Sequence, residues 1–189
     1  MLAISLGVLL VAAGGILSVF FFYPLAVFIG SRLFPLRLPR DNSYEPTVTV
    51  LTATRNAADF IDAKIDNTFA LDYPEAKLDL VITLDGSDSL TEQRIATRAS
   101  PRITLVVTDR HLGKATALNR ALPHCSGEIL LMTDADAILA PGALRMLLRH
   151  FADAQIGGVG GRRVIARDSA AMKRAQQHYI AIDSGLKSW

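Results

Sequence analysis

Cysteine is almost absent from this chain. Cys125 is the only one in 189 residues, so no disulfide within the chain can staple the fold, and a small disulfide scaffold is excluded. An excess of charge of one sign is also missing. Lys and Arg total 20, Asp and Glu 18, and a net charge of +2 provides no electrostatic basis for a nucleic-acid partner. The 13 glycines and 8 prolines are too few for a collagen-like or low-complexity chain. The four histidines, His111, His124, His150 and His178, have no zinc-ligand spacing. The most telling absence is local: residues 1–31 contain no Asp, Glu, Lys, Arg or His. All 38 charged side chains fall in the other 158 residues, about 24% of them, the usual share for a soluble globular domain. That length suffices for one domain with a real core.

The charge-free stretch exceeds the roughly 20 apolar residues that span a bilayer. A secretory signal is its competitor. Such a signal has a basic start and an apolar run of about 7–15 residues, whereas this segment has no basic start and runs about twice as far. Residues 1–31 are therefore expected to be a retained transmembrane anchor, with Gly14, Gly15 and Pro24 as places where the helix could bend or split. Arg32, Arg37 and Arg40 follow the apolar run and nothing charged precedes it, so the positive-inside rule puts the following domain in the cytoplasm, on the inner face of the cell membrane. Residues 32–45, with Pro35, Pro39 and Asp41-Asn42-Ser43, read as a linker.

From Pro46 onward strand and helix patterns alternate. Strands are expected at Thr47–Ala53, Leu78–Leu84, Ile103–Val107 and Glu128–Thr133, with a fifth at Val159–Ala166. Helices are expected from Asn56 to Phe69, with Phe60, Ile61, Ile65 and Phe69 at helical spacing, then at Asp88–Arg98, Lys114–Leu122, Pro141–Phe151 and Asp168–Leu186. This alternation implies βαβ units and an α/β fold built on a mostly parallel sheet. Ligands of such sheets bind beyond the carboxyl ends of the strands. The polar residues crowd there, at Thr52–Asn56, Asp85–Asp88, Asp109–Lys114 and Asp134–Asp136.

Asp134-Ala135-Asp136 directly follows a buried-looking strand. Two carboxylates two residues apart can face one cavity if the backbone turns. As hard oxygen donors they suit Mg²⁺ or Mn²⁺ that also holds substrate phosphates. An isolated Asp-x-Asp is more often a cap or a solvated turn, and the position after the strand is what favours a ligand site. Asp85-Gly86-Ser87-Asp88 ends the second strand; a carboxylate there can accept hydrogen bonds from a base or ribose, or simply cap the next helix. Lys114 opens a helix, where it can meet phosphate or stand as a surface lysine. It is not part of a P-loop, because Thr108 and Ala115 occupy positions that need Gly and Ser or Thr. The run Gly157-Gly158-Val159-Gly160-Gly161 lacks the dinucleotide fingerprint, since Arg163 stands where its last glycine would be. No GxSxG elbow occurs. Cys125, beside His124, reads as a packed thiol.

Together these strings resemble glycosyltransferase family 2, whose members use nucleotide sugars on the GT-A fold. The resemblance rests on Pro46–Asn56, on Leu71-Asp72-Tyr73-Pro74 followed by Leu78–Asp88, on Gly113–Asn119, on Gly127–Asp136 and on Gly158–Val164, in order over about residues 46–165. It implies that residues 46–189 form a donor-binding domain. Thr52, Ala53 and Arg55 would line the nucleotide pocket and Asp85 would bind the base or ribose. Lys114 and Asp134 would help hold the nucleotide and its phosphates. Asp136, with Asp134, would ligate a divalent cation, Mg or Mn. The partners implied are a nucleotide-diphosphate sugar, with a UDP-sugar favoured, an acceptor hydroxyl and the lipid bilayer. An anchor followed by such a domain resembles the family's membrane-bound polysaccharide synthases. Ala53, Ala57 and Leu84 depart from the family pattern, which expects proline at the first and acidic residues at the other two.

The family's catalytic base is an Asp in a later acidic motif. Asp153, Asp168 and Asp183 are the only later acids, and none sits in such a motif. The chain is thus expected to be an N-terminal fragment, GT-A-like and truncated, holding the donor half of the site with the base beyond Trp189. The competing expectation is a membrane-tethered nucleotide-binding domain without catalysis.

Overall fold

The structure is a computed structural model that describes residues 2–34 and 39–162. It comprises two units, an apolar N-terminal helix and a domain over residues 39–161.

The N-terminal unit is helical from Leu2 to Leu33. Helix α1 (Leu2–Leu17) passes into a π-type turn at Ser18–Phe22 and then into α2 (Tyr23–Leu33). The helix is unbroken at Gly14-Gly15, and its one irregularity lies just before Pro24. Proline has no N–H to give the carbonyl four residues back, and a widened turn accommodates that loss. Residues Ser5–Leu33, 29 in all with a mean hydropathy of 2.3, are long and apolar enough to cross a membrane, a test that a signal sequence also passes.

The domain is built on a parallel sheet of β1 (Val48–Thr54), β2 (Leu78–Leu84), β3 (Ile103–Val107) and β4 (Ile129–Met132), in the order β3-β2-β1-β4. All four lie within a residue of their expected positions. β1 and β2 are central and buried almost throughout, because the sheet is covered on both faces. The alternation along each strand assigns the layers. Val48, Val50, Leu80, Ile82 and Leu84 meet α3 (Ile61–Phe69), α4 (Ser89–Thr97) and α6 (Ala143–Leu148) through Ile61, Ile65, Ile95, Leu144 and Leu148. Leu51 and Val81 meet the opposite layer, α5 (Lys114–Ala121) and the turn after it, through Leu118, Ala121 and Cys125. Cys125 is the packed thiol expected, and burial raises its pKa.

Helix α3 starts five residues later than the apolar spacing predicts. Asn56 adopts φ +51°, a left-handed conformation that a helix cannot include, and residues 58–60 form a turn before the helix starts. Phe60 is consequently 52% exposed instead of joining the core. Helix α6 is also shorter than expected, with Pro141 and Gly142 in a turn. Residues 159–162 are irregular; the rest of the expected fifth strand and the helix at 168–186 lie outside the described residues.

Two contacts fix the start of the sheet. The Tyr73 hydroxyl donates to the Pro46 carbonyl at 2.5 Å. Gly127 lies so close to β1 that a Cβ on it would stand 2.4 Å from the Thr49 amide nitrogen, so only glycine fits there.

Ile82, fully buried at the centre of the sheet, sets the scale of the packing energy. Ile82→Ala is expected to lower unfolding free energy by about 2–5 kcal/mol, read as a lower denaturant midpoint at unchanged slope.

Candidate functional site

The chain order fixes where a ligand can enter. From β1 the chain moves outward to β2 and β3, then returns to place β4 on the other side of β1. The switch point of this sheet lies between β1 and β4, and the loops leaving the two strands part there to form a crevice. A cleft of about 270 Å³ lies at that place. Its walls are Ala53–Ala57 and Phe60 on the β1 side and Asp134, Ala135 and Asp136 on the β4 side.

The expected site residues take different places around this cleft. Ala53, Arg55, Asp134 and Asp136 line it. Lys114, the first residue of α5, reaches it by an ion pair with Asp134. Thr52 lies beneath it, fully buried, its hydroxyl donating to the Thr133 carbonyl at 2.6 Å. Asp85 stands at the end of β2, next to the cleft's strand, and is not among the lining residues.

Asp85 is occupied by the loop that follows β3. Only 5% exposed, its carboxylate accepts from the backbone N–H of Leu112 at 2.7 Å and of Gly113 at 3.0 Å, and lies 2.6 Å from His111 Nδ1. These donors, the Leu112 amide first and the His111 ring after it, hold its pKa below the ordinary carboxylate value. Gly86 (φ +94°) and Gly113 (φ +88°) make the backbone turns this capture requires. The buried Thr108 hydroxyl accepts from the Gly86 N–H at 2.8 Å, tying the ends of β2 and β3 together. Asp85 thereby presents Lys114, two residues beyond Leu112, at the start of α5.

Three contributors escaped the sequence reading. Lys64 is fully buried in α3 and donates to Thr133 Oγ1 at 3.0 Å and to the Ala137 carbonyl at 2.8 Å. Burial lowers its pKa to about 8, while the nearby charges of Asp134 and Asp136 act to keep the proton on. Asn67, one turn later, makes paired hydrogen bonds with the backbone of Leu139, at 2.8 and 2.9 Å. The third is Phe60, which shares the helical spacing of Ile61 and Ile65 but lines the cleft. The signal for Lys64 was present: Ile61, Lys64, Ile65 and Thr68 form the buried face of α3, and a lysine in such a stripe requires partners.

The donor set suits a hard divalent cation. Among the described residues no three Asp, Glu, His or Cys side chains gather at one point. Asp134 and Asp136 would supply two carboxylates, leaving the remaining coordination positions to water and substrate phosphate, the usual arrangement for Mg²⁺.

The Asp85 contacts have a pH signature. A carboxyl with a lowered folded pKa contributes fully above its unfolded value of about 4, and the contribution is lost as pH falls through the lower folded value. Asp85→Asn is expected to flatten the acid limb of stability against pH below about 4 and to speed hydrogen exchange at the Leu112 and Gly113 amides.

The profile of Glycosyl transferase family 2 matches residues 49–187. The Beta-monoglucosyldiacylglycerol synthase of Trichormus variabilis is 33% identical over 125 residues, covering 64% of this chain and 27% of that protein. The Poly-beta-1,6-N-acetyl-D-glucosamine synthase of Staphylococcus aureus is 29% identical over 131 residues, covering 68% of this chain and 31% of that protein. The chain thus spans about a third or less of the length of these relatives. Among solved structures, a mannosyltransferase from Pyrobaculum calidifontis in complex with GDP-Man and Mn²⁺ superposes with a TM-score of 0.66 at 35% identity, over 77% of this chain and 44% of that one. With the family profile matched over most of its length and a GT-A-like parallel sheet beneath the site, the chain belongs to glycosyl transferase family 2.

Proposed function

We propose that the protein is a membrane-anchored, metal-dependent glycosyltransferase, moving a sugar from a nucleotide-diphosphate donor to an acceptor hydroxyl in the synthesis of a glycolipid or polysaccharide. One observation carries the reading: Arg55, Asp134 and Asp136 line a single cleft at the switch point of the sheet, and Lys114 is drawn to it through Asp134. The mannosyltransferase solved with GDP-Man and Mn²⁺ supports the donor class and the metal. The names of the two synthases support a glycolipid or polysaccharide product.

Each residue then has a task. Arg55 and Lys114 offer cationic donors to the two phosphates. Exposed Phe60 offers a flat apolar face to a base, and the small side chains of Ala53 and Ala57 leave room beside it. Asp134 and Asp136 would hold a Mg or Mn ion against the diphosphate. A bound divalent cation would stabilise negative charge developing on the departing diphosphate. The acceptor oxygen attacks the anomeric carbon as the bond to the diphosphate breaks, and the hydroxyl proton passes to a base outside the described residues. Asp153 is not among the residues that line the cleft; its carboxylate accepts from the Gln155 N–H at 3.0 Å within a surface turn. The domain over residues 46–189 supplies donor binding. In this reading the apolar helix serves as the anchor and residues 32–45 as the linker, and the positive-inside rule applied to the arginines after the apolar run supports a domain on the cytoplasmic side of the inner membrane.

Calorimetric titration of the chain in detergent with UDP, and in parallel with GDP, tests the reading. Binding of one of them is expected to strengthen at least tenfold with Mn²⁺, UDP being the favoured base. Asp136→Asn is expected to abolish that enhancement, a loss of about 1.4 kcal/mol or more. Equal binding with and without Mn²⁺ excludes the metal role of Asp136. Binding without sugar transfer by the full-length protein, across a panel of donors, identifies a nucleotide-binding module instead.

A further inference from the structure

Charge around the Asp134–Asp136 turn is unusual for a place expected to take a bare cation. Two carboxylates face the cleft, but Arg55 stands on the opposite wall, Lys114 pairs with Asp134, and Lys64 lies beneath the turn. Three side-chain cations therefore accompany two anions. They differ in one respect that matters. The Lys114 side chain, paired with Asp134, is 61% exposed, so water screens its charge. Lys64 is fully buried and fixed by two hydrogen bonds, to Thr133 Oγ1 and the Ala137 carbonyl, which flank the two carboxylates in sequence. Its charge is screened least and cannot move away. With a pKa of about 8 it remains protonated at neutral pH.

We propose that Lys64 is a buried counter-charge to Asp134 and Asp136 that makes the turn take its divalent cation together with a nucleotide diphosphate rather than ahead of it. The proposal rests on the cation reading given above. A lone divalent cation approaching the turn meets a region without net negative charge and a fixed ammonium behind it. A nucleotide diphosphate brings several negative charges of its own, so the metal–diphosphate pair meets Arg55, Lys114 and Lys64 as attractive groups. The same ammonium also acts as a positioning residue: by gripping Thr133 and Ala137 it sets the direction in which both carboxylates leave the turn. The fixed charge has a thermodynamic consequence. Cation and diphosphate become coupled, each tightening the other by the same factor.

The test is Mn²⁺ binding, followed by the loss of the free-ion paramagnetic resonance signal, with and without UDP or GDP, on the chain in detergent and corrected for Mn²⁺ held by nucleotide in solution. Wild type is expected to bind Mn²⁺ alone weakly and at least tenfold more tightly with nucleotide. Lys64→Met is expected to tighten Mn²⁺ alone by about tenfold and to reduce the coupling by the same factor. Asn67→Ala loosens the same segment without changing its charge and is expected to leave Mn²⁺ alone no tighter than in wild type. Lys64→Gln, which keeps a hydrogen-bond donor, repeats the charge change should the Met variant not fold. Lys64 variants that bind Mn²⁺ alone no tighter than wild type overturn the proposal, as does an Asn67→Ala variant that tightens equally. Wild type whose Mn²⁺ and nucleotide bind independently overturns it without any variant. Wild type that binds no Mn²⁺ even with nucleotide removes the cation reading itself, and the proposal with it.

Discussion

The site depends on how the chain is held as it leaves β4. Thr133 is gripped twice. Its carbonyl accepts from the Thr52 hydroxyl of β1, and its hydroxyl accepts from the Lys64 ammonium of α3. Four residues later the Ala137 carbonyl takes a second bond from Lys64, and Asn67 closes the segment by pairing with Leu139. The short turn that carries Asp134 and Asp136 is thereby tied to a central strand and to a helix on one face of the sheet. Fixed at both ends, the backbone that carries them is ordered before a ligand arrives, and that order need not be created on binding.

The remainder of the domain supports that arrangement. β1 has β2 on one side and the returning β4 on the other, so the loops after β1 and β4 part above it. Thr52 near its end serves the core, and the residues that follow, Ala53 to Ala57, serve the cleft. On the other side of β1, Asp85 organises residues 111–113 and thereby sets the start of α5. Lys114 follows directly and reaches Asp134. The three carboxylates beyond the ends of β2 and β4 thus have separate duties. The buried one shapes the backbone, and the cleft-lining pair faces the ligand space.

Much of the fold was legible beforehand. The four strands stand where apolar β-branched runs predicted them, because a parallel strand covered on both faces has little freedom in composition. Helix ends were less legible. Nothing local in the spacing of Phe60, Ile61 and Ile65 reveals that Asn56 turns left-handed, so the start of α3 was placed too early. Phe60, at the helical spacing of Ile61 and Ile65, lies in the turn before the helix and lines the cleft. At the site, Ala53, Arg55, Asp134 and Asp136 were expected on the cleft and line it, and Lys114 contacts it. Thr52 and Asp85 were grouped with them by the family resemblance. In the folded chain both are buried, and their oxygens meet Thr133 and the 111–113 loop.

The sequence by itself determined the charge-free N-terminal helix, the alternation of strand and helix, and the placing of acidic and basic groups at strand ends. Each of these follows from local composition and period, which one stretch of chain suffices to specify. Only the tertiary structure decided that Lys64 and Asn67, some 70 residues before the acidic turn, are the groups that hold it. A buried ammonium must find oxygen partners, and which oxygens those are depends on how helix and strand pack across the sheet. That pairing is a property of the folded chain, since no segment of it contains both partners.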